Sequence, residues 1–275
     1  STRRGGGRMS ANEPIASAIL GVIQGLTEFL PVSSSGHLVL FQEVLTTPGD
    51  PLLFDLAVHL GTLLPVLIVF RADLIEMITA PFSGEAPIMQ RTGTKLIKLL
   101  LLGSIPTAVI GLTFQDQFKA LFNSAGPLVF TFAITGALLF ATKFAREGMK
   151  SAKDMSVAAA VAIGTIQGLA ITPGISRSGS TIAAALFLGL NRQFAAKFSF
   201  LLSIPAIAGA ILLEVKDADW SAVNIPVMAL GAITAAVTGY IALKVLLKLV
   251  NSGDFSKFAW YCWFMALVAL VTTMQ

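Results

Sequence analysis

A carboxylate at Glu28, an imidazole at His37 and a guanidinium at Arg177 all lie in or beside apolar stretches of a 275-residue chain. Ionisable groups at membrane depth each cost at least ~2.5 kcal/mol, so they usually serve a pathway or a site. The first run reads Gln24-Gly-Leu-Thr-Glu28-Phe-Leu-Pro-Val-Ser33-Ser34-Ser35-Gly-His37. Four residues apart on a helix, Gln24 and Glu28 share one face. Ser33, Ser34, Ser35 and Gly36 offer hydroxyl and amide donors where the next helix begins, which is where an anion is held. His37 can act as base, acid or nucleophile. The second run reads Pro173-Gly-Ile-Ser176-Arg177-Ser178-Gly179-Ser180-Thr181. Its guanidinium is a planar fork of donors that matches phosphate oxygens. Ser176, Ser178 and Thr181, with Gly179 in the turn and a helix N-terminus following, complete an oxyanion cradle. The plainer alternative is two capped helix breaks joined by a buried Glu28–Arg177 pair, but the groups crowded into the first turn exceed what capping requires. Asp55 and His59, also four apart, stay open between supporting partners, a proton path and an interfacial pair.

Such residues need elements to hold them, and the composition says what surrounds those elements. The chain is 55% hydrophobic and 12% charged, against roughly 25% charged in ordinary globular proteins, which excludes a soluble enzyme. Its net charge is +4, of which Arg3, Arg4 and Arg8 supply three. Ser1–Arg8 reads as a cloning remnant, and without it the balance is +1, leaving nucleic-acid binding unsupported. The single cysteine, Cys262, excludes a disulfide within the chain and a cysteine-based metal cluster. No cleavable signal peptide is expected, because the first apolar stretch contains Glu28 and runs into the serine turn.

Six stretches approach the length that crosses ~30 Å of hydrocarbon as helix: Leu52–Phe70, Lys95–Phe114, Pro127–Phe144, Phe194–Leu213, Ile225–Leu249 and Phe255–Thr273. Two others, Ile15–Leu30 and Met155–Ile171, are each followed by a polar cluster and a second short apolar stretch, Leu38–Leu45 and Thr181–Leu190. Backbone broken in this way is tolerated at membrane depth only inside protein or facing a polar cavity, so both are expected to be re-entrant helix hairpins. Gly21–Gly36 (GVIQGLTEFLPVSSSG) and Gly164–Gly179 (GTIQGLAITPGISRSG), 143 residues apart, agree at eight of sixteen positions. The expected fold is therefore an all-α polytopic membrane protein of two inverted-topology repeats. Each repeat is a hairpin plus three spans, at about 13–150 and 154–275, in one membrane domain over 9–275. Broken segments of such repeats meet near the bilayer midplane.

Charge placement orients this topology. If the first hairpin starts outside, thirteen basic residues collect inside: Arg71, Arg91, Lys95, Lys98, Lys143, Arg146, Lys150, Lys153, Arg192, Lys197, Lys244, Lys248 and Lys257. Only Lys119 and Lys216 stay outside, with Glu214, Asp217 and Asp219. The positive-inside rule then sets both termini on the extracytoplasmic side. Between the repeats Glu28 aligns with Ile171 and Ser34 with Arg177. One half thus supplies carboxylate and imidazole and the other the cation, a division that fits chemistry on an anionic headgroup better than a symmetric ion path.

The two runs, Gln24–His37 and Pro173–Thr181, resemble the integral-membrane undecaprenyl-diphosphate phosphatase family, also known for bacitracin resistance, over essentially Glu13 to the C-terminus. The resemblance implies hydrolysis of the C55 polyprenyl diphosphate to the monophosphate and phosphate in the bacterial inner membrane, recycling the lipid carrier of cell-wall synthesis. It implies functional roles for Glu28, Ser34, His37, Ser176, Arg177 and Thr181, and dependence on a divalent cation, Mg2+ or Ca2+. Gln24 stands where many relatives have Glu, which leaves Glu28 and Gln24 as the metal ligands and removes one carboxylate. On this basis Arg177 and the adjoining serines hold the phosphates, and the attacking group is His37 or Ser34, with an activated water third. The expected partners are the polyprenyl diphosphate and membrane lipids, with self-association open. The rival function is a transporter or flippase of a polyprenyl phosphate or another anion, since inverted repeats are a transporter design.

Overall fold

The structure, a computed structural model, describes residues 13–42, 45, 51–82, 92–122, 125–215 and 223–274. Ser1–Arg8, expected to be a cloning remnant, and the charges Arg91, Lys216, Asp217 and Asp219 lie outside the described residues. The helices are α1 (Glu13–Phe29), α2 (Ser34–Gln42), α3 (Pro51–Val69), α4 (Arg71–Thr79), α5 (Thr92–Thr113), α6 (Gln115–Phe122), α7 (Gly126–Ala141), α8 (Val157–Leu169), α9 (Arg177–Phe187), α10 (Arg192–Glu214), α11 (Ile225–Ser252) and α12 (Phe258–Thr273). Among the described residues there is no strand, and six helical segments are long and apolar enough to cross a membrane. These are the six expected stretches, each shifted by a few residues at its ends. The short helices α4 and α6 fall where the sequence reads as loop, and neither buries a residue.

Both second arms start four residues earlier than expected, at Ser34 and Arg177 rather than Leu38 and Thr181. The polar residues are the start of each helix, not a loop before it. Ser176 caps α9 by accepting from Gly179 N at 3.0 Å, and Ser33 Oγ accepts from Gly36 N at 3.3 Å at the start of α2. Other ends follow the same chemistry: Ser156 caps α8, Asn191 caps α10, Asn224 caps α11, and Gly253 closes α11 in the left-handed region at φ +85°.

The spans are apolar outward and small inward, the reverse of a soluble helix. On α11, Ile233, Val237 and Ile241 are exposed along one face, while Gly231, Ala235, Gly239 and Ala242 are buried along the other. Small inward residues let backbones approach, which is how membrane helices gain packing without a hydrophobic driving force between them. A Cβ on Gly21 would collide with Gly231 O, and one on Gly164 with Gly103 O. Hydroxyls cross the same contacts: Ser17 donates to Val227 O at 2.6 Å, and Thr107 to Gly164 O at 2.7 Å. Helix α1 thus packs on α11 and α8 on α5. The main buried core includes Phe29, Phe70 and Phe200, whose rings meet at 5.8 and 6.2 Å, and Phe29 adjoins Glu28 in the chain.

Candidate active site

Helix α1 ends one residue past Glu28, so its last turn presents Gln24 and Glu28 on one face. Gln24 Nε2 donates to Glu28 Oε2 at 3.0 Å, and Ser34 Oγ, from the first residue of α2, donates to the same oxygen at 2.6 Å. The other carboxylate oxygen is hydrogen-bonded and ion-paired to Arg177 Nη2, from the first residue of α9. The Glu28 side chain is only 3% exposed and that of Arg177 is 23% exposed. A carboxylate so buried needs a partner, and this one has three. The cation meets it from 149 positions away, across the two matched turns.

One nitrogen of that guanidinium, Arg177 Nη1, is buried without a hydrogen-bond partner among the described residues. The cleft beside the pair is lined by Ser178, Thr62, Ser199 and Ser203 on its polar side and by Phe29, Val66, Phe200 and Ile207 on its apolar side. A charged head and an apolar flank in one cleft suit an amphiphile with an anionic headgroup.

The remaining expected residues are distributed differently. Ser33 has φ +67°, the only positive value at a non-glycine residue among those described, and its hydroxyl faces Ser35 Oγ at 3.3 Å rather than Glu28. Ser176 is 1% exposed and occupied as a cap, and the Gly179 amide is spent on it. Ser178 lines the cleft while bonding Ser176 Oγ at 3.3 Å and Leu30 O at 3.4 Å. Thr181 is fully buried and bonds Arg177 O at 2.8 Å and Ser199 Oγ. Ser176 and Thr181 thus hold the arginine's helix rather than open on the cleft. His37 is 2% exposed, with Nδ1 on Ser33 O at 2.7 Å and Nε2 on the Tyr261 hydroxyl at 2.8 Å. It touches neither Glu28 nor Arg177 through those atoms.

Three contributions escape the motif reading. His59, left open from the sequence, brings Nε2 to 3.9 Å from Glu28 Oε2, with Nδ1 anchored on Asp55 O at 2.7 Å. Asp55 Oδ1 in turn accepts from Gln42 Nε2 at 2.9 Å. Thr135 on α7 donates to Gly174 O at 2.9 Å and accepts from Ser176 N at 3.2 Å, tying down the second turn. Tyr261 and Cys262 on α12 do the same for the first turn, the thiol donating to Pro31 O at 3.5 Å. The only sequence signal for Tyr261 is that it is one of two tyrosines in the chain.

A divalent cation fits one corner of this arrangement. Gln24 Oε1 is buried and has no hydrogen-bond partner among the described residues, because its amide nitrogen is turned to Glu28. An amide oxygen beside a carboxylate is a donor set that hard cations use, and Mg2+ commonly takes one or two carboxylates and completes its shell with substrate phosphate and water. No cage of three or more His, Cys, Asp or Glu side chains exists among the described residues.

Fold and site together define a polytopic helical membrane protein with a buried carboxylate that bonds a serine and a guanidinium beside an amphipathic cleft. Within that class the chain belongs to the family of the bacitracin resistance protein BacA, whose profile matches residues 17–268. It is 49% identical over 273 residues to the undecaprenyl-diphosphatase of Desulfosudis oleivorans, covering 96% of this chain and 100% of the relative. It is 44% identical over 258 residues to that of Carboxydothermus hydrogenoformans, covering 92% and 95% of the two chains. The undecaprenyl-diphosphatase of Methanobrevibacter smithii is 39% identical over 272 residues, covering 94% and 96%.

Proposed function

We propose that the protein hydrolyses a polyprenyl diphosphate, undecaprenyl diphosphate above all, to the monophosphate and inorganic phosphate. The reaction recycles the lipid carrier of cell-wall synthesis and thereby confers bacitracin resistance. The observation that carries this reading is the Glu28 carboxylate bridging Ser34 and Arg177. A hydroxyl already donating to a buried carboxylate is a nucleophile with its base in place, and the guanidinium beside it is the group that stabilises phosphoryl charge.

In this mechanism the terminal phosphate displaces Arg177 from Glu28, and the Nη1 donor that lacks a partner is first to receive it. Ser34 Oγ attacks the terminal phosphorus as its proton passes to Glu28 Oε2. The bond from phosphorus to the bridging oxygen breaks, and the polyprenyl monophosphate leaves with the electron pair and the proton from Glu28. Water then attacks the phosphoserine, again giving its proton to Glu28, which returns it to Ser34 Oγ as phosphate departs. Arg177 neutralises the equatorial oxygens in both steps. Glu28 and Gln24 would hold a divalent cation, which when bound supplies Lewis-acid stabilisation of the phosphate oxygens.

The same reading takes the two broken segments as re-entrant hairpins of inverted repeats in the inner membrane, with the site and both termini extracytoplasmic. Its support is an exchange of partners: the first arm of each hairpin packs on a span of the other half, α1 on α11 and α8 on α5. The charge asymmetry supports the orientation.

The test is phosphate release from a polyprenyl diphosphate by the full chain in detergent micelles, where no gradient exists. Release is expected, and its loss in Arg177→Ala identifies the site. A well-folded protein that releases no phosphate, yet moves a polyprenyl phosphate across sealed vesicles, would replace the hydrolase with the transporter.

A further inference from the structure

We infer that Tyr261 is a positioning residue for this reaction: it fixes the His37 ring, which holds the Ser33 turn in the conformation that presents Ser34 to Glu28. The inference rests on the diphosphatase reading above and adds α12 to the machinery. Ser33 O is an acceptor only, so the His37 nitrogen facing it at 2.7 Å, Nδ1, carries a proton. In the uncharged ring Nε2 is then an acceptor, and the Tyr261 hydroxyl at 2.8 Å donates to it. The two rings also stack, with centroids 5.7 Å apart and planes 5° off parallel, while Phe132 meets the imidazole edge-on at 5.5 Å. With both nitrogens engaged, the ring acts as a strut between α12 and the turn.

The far end of the strut needs holding. Ser33 occupies the left-handed region at φ +67°, unfavourable for a residue with a side chain, and such a conformation persists only where the surroundings over-determine it. Ser33 O receives both the His37 ring N–H and the His37 backbone N–H, the latter at 3.2 Å. Cys262, adjacent to Tyr261, donates to Pro31 O in the same turn. One residue past Ser33, the chain delivers Ser34 Oγ to Glu28. A turn left free to relax would swing that hydroxyl away.

Tyr261→Phe keeps the ring and its stacking and removes only the hydroxyl. The expected result is a kcat about tenfold lower with KM within twofold, in a protein whose thermal unfolding in detergent is near wild type. In a Ser34→Ala background the same change should have no further effect on residual turnover. Nitrogen-15 spectra of labelled histidine, assigned to His37 by comparison with His59→Gln, should show the single Nδ1–H form in wild type and a mixture of tautomers in Tyr261→Phe. An unchanged His37 spectrum, an unchanged kcat, or an equal fold-loss in both backgrounds overturns the inference. The spectra are read without substrate, so a wild type that fails to hydrolyse diphosphate overturns the hydrolase reading while the spectra still decide the strut.

Discussion

At the scale of single residues, the site turns on one buried carboxylate that bridges Ser34 and Arg177, and in the proposed mechanism substrate draws the arginine away while the serine keeps its base. Glu28→Gln removes the base and leaves Arg177 unpaired, so kcat/KM should fall by at least ~100-fold, the range seen when one stabilising group of a reaction centre is lost. Because the two residues act as a unit, Glu28→Gln combined with Arg177→Ala should be little worse than the poorer single variant; multiplicative losses would mean that they work separately. Arg177→Lys keeps the charge but loses the planar fork, and activity should drop ~10-fold or more with KM rising. Glu28, Ser34 and Arg177 were legible in the sequence because apolar surroundings make isolated polar residues conspicuous and the repeat aligns their turns. Tyr261 was not, because its contact with His37 spans 224 positions and one hydroxyl in an apolar helix leaves no periodic mark.

At the scale of elements, the turns hold their shape because third helices brace them: α7 through Thr135 on the second turn, α12 through Tyr261 and Cys262 on the first. Thr135→Val strips a donor and an acceptor from buried backbone groups and should lower stability by about 1–3 kcal/mol, read as thermal unfolding in detergent. Close packing of α8 on α5 gives a sharper contrast. A Cβ at Gly164 meets Gly103 O, whereas Gly209 on α10 has nothing within 4 Å. Gly164→Leu should destabilise the fold by about 3 kcal/mol or more through overpacking, and Gly209→Ala should leave stability unchanged or slightly raised. The spans were readable from the length of their apolar runs. The helices α2 and α9 start four residues before the apolar stretches Leu38–Leu45 and Thr181–Leu190, because a polar first turn extends a helix beyond its apolar run and apolar length does not mark it. Helices α4 and α6, 9 and 8 residues long, escape a reading built on membrane-crossing length because both are far too short to span.

At the scale of the whole molecule, the two halves of the chain match in sequence around their polar turns and differ in the residues those turns carry. Aligned positions carry Ser34 in one half and Arg177 in the other, so in the proposed mechanism neither half holds the chemistry alone. The proposed orientation rests on charge placement and can be read with single cysteines in a Cys262→Ser background: Lys119→Cys should react with an impermeant maleimide added outside intact cells, and Arg146→Cys should not. The reverse pattern would turn the molecule over. The most direct test of the shared site is to supply a polyprenyl diphosphate labelled on its terminal phosphate, quench parallel samples during turnover in acid, which preserves phosphoserine, and in alkali, which preserves phosphohistidine, and locate the label on the protein. The predicted result is phosphoserine at Ser34 in the wild type and none in Arg177→Ala. Label on His37, or hydrolysis at the wild-type rate by Ser34→Ala, would contradict it.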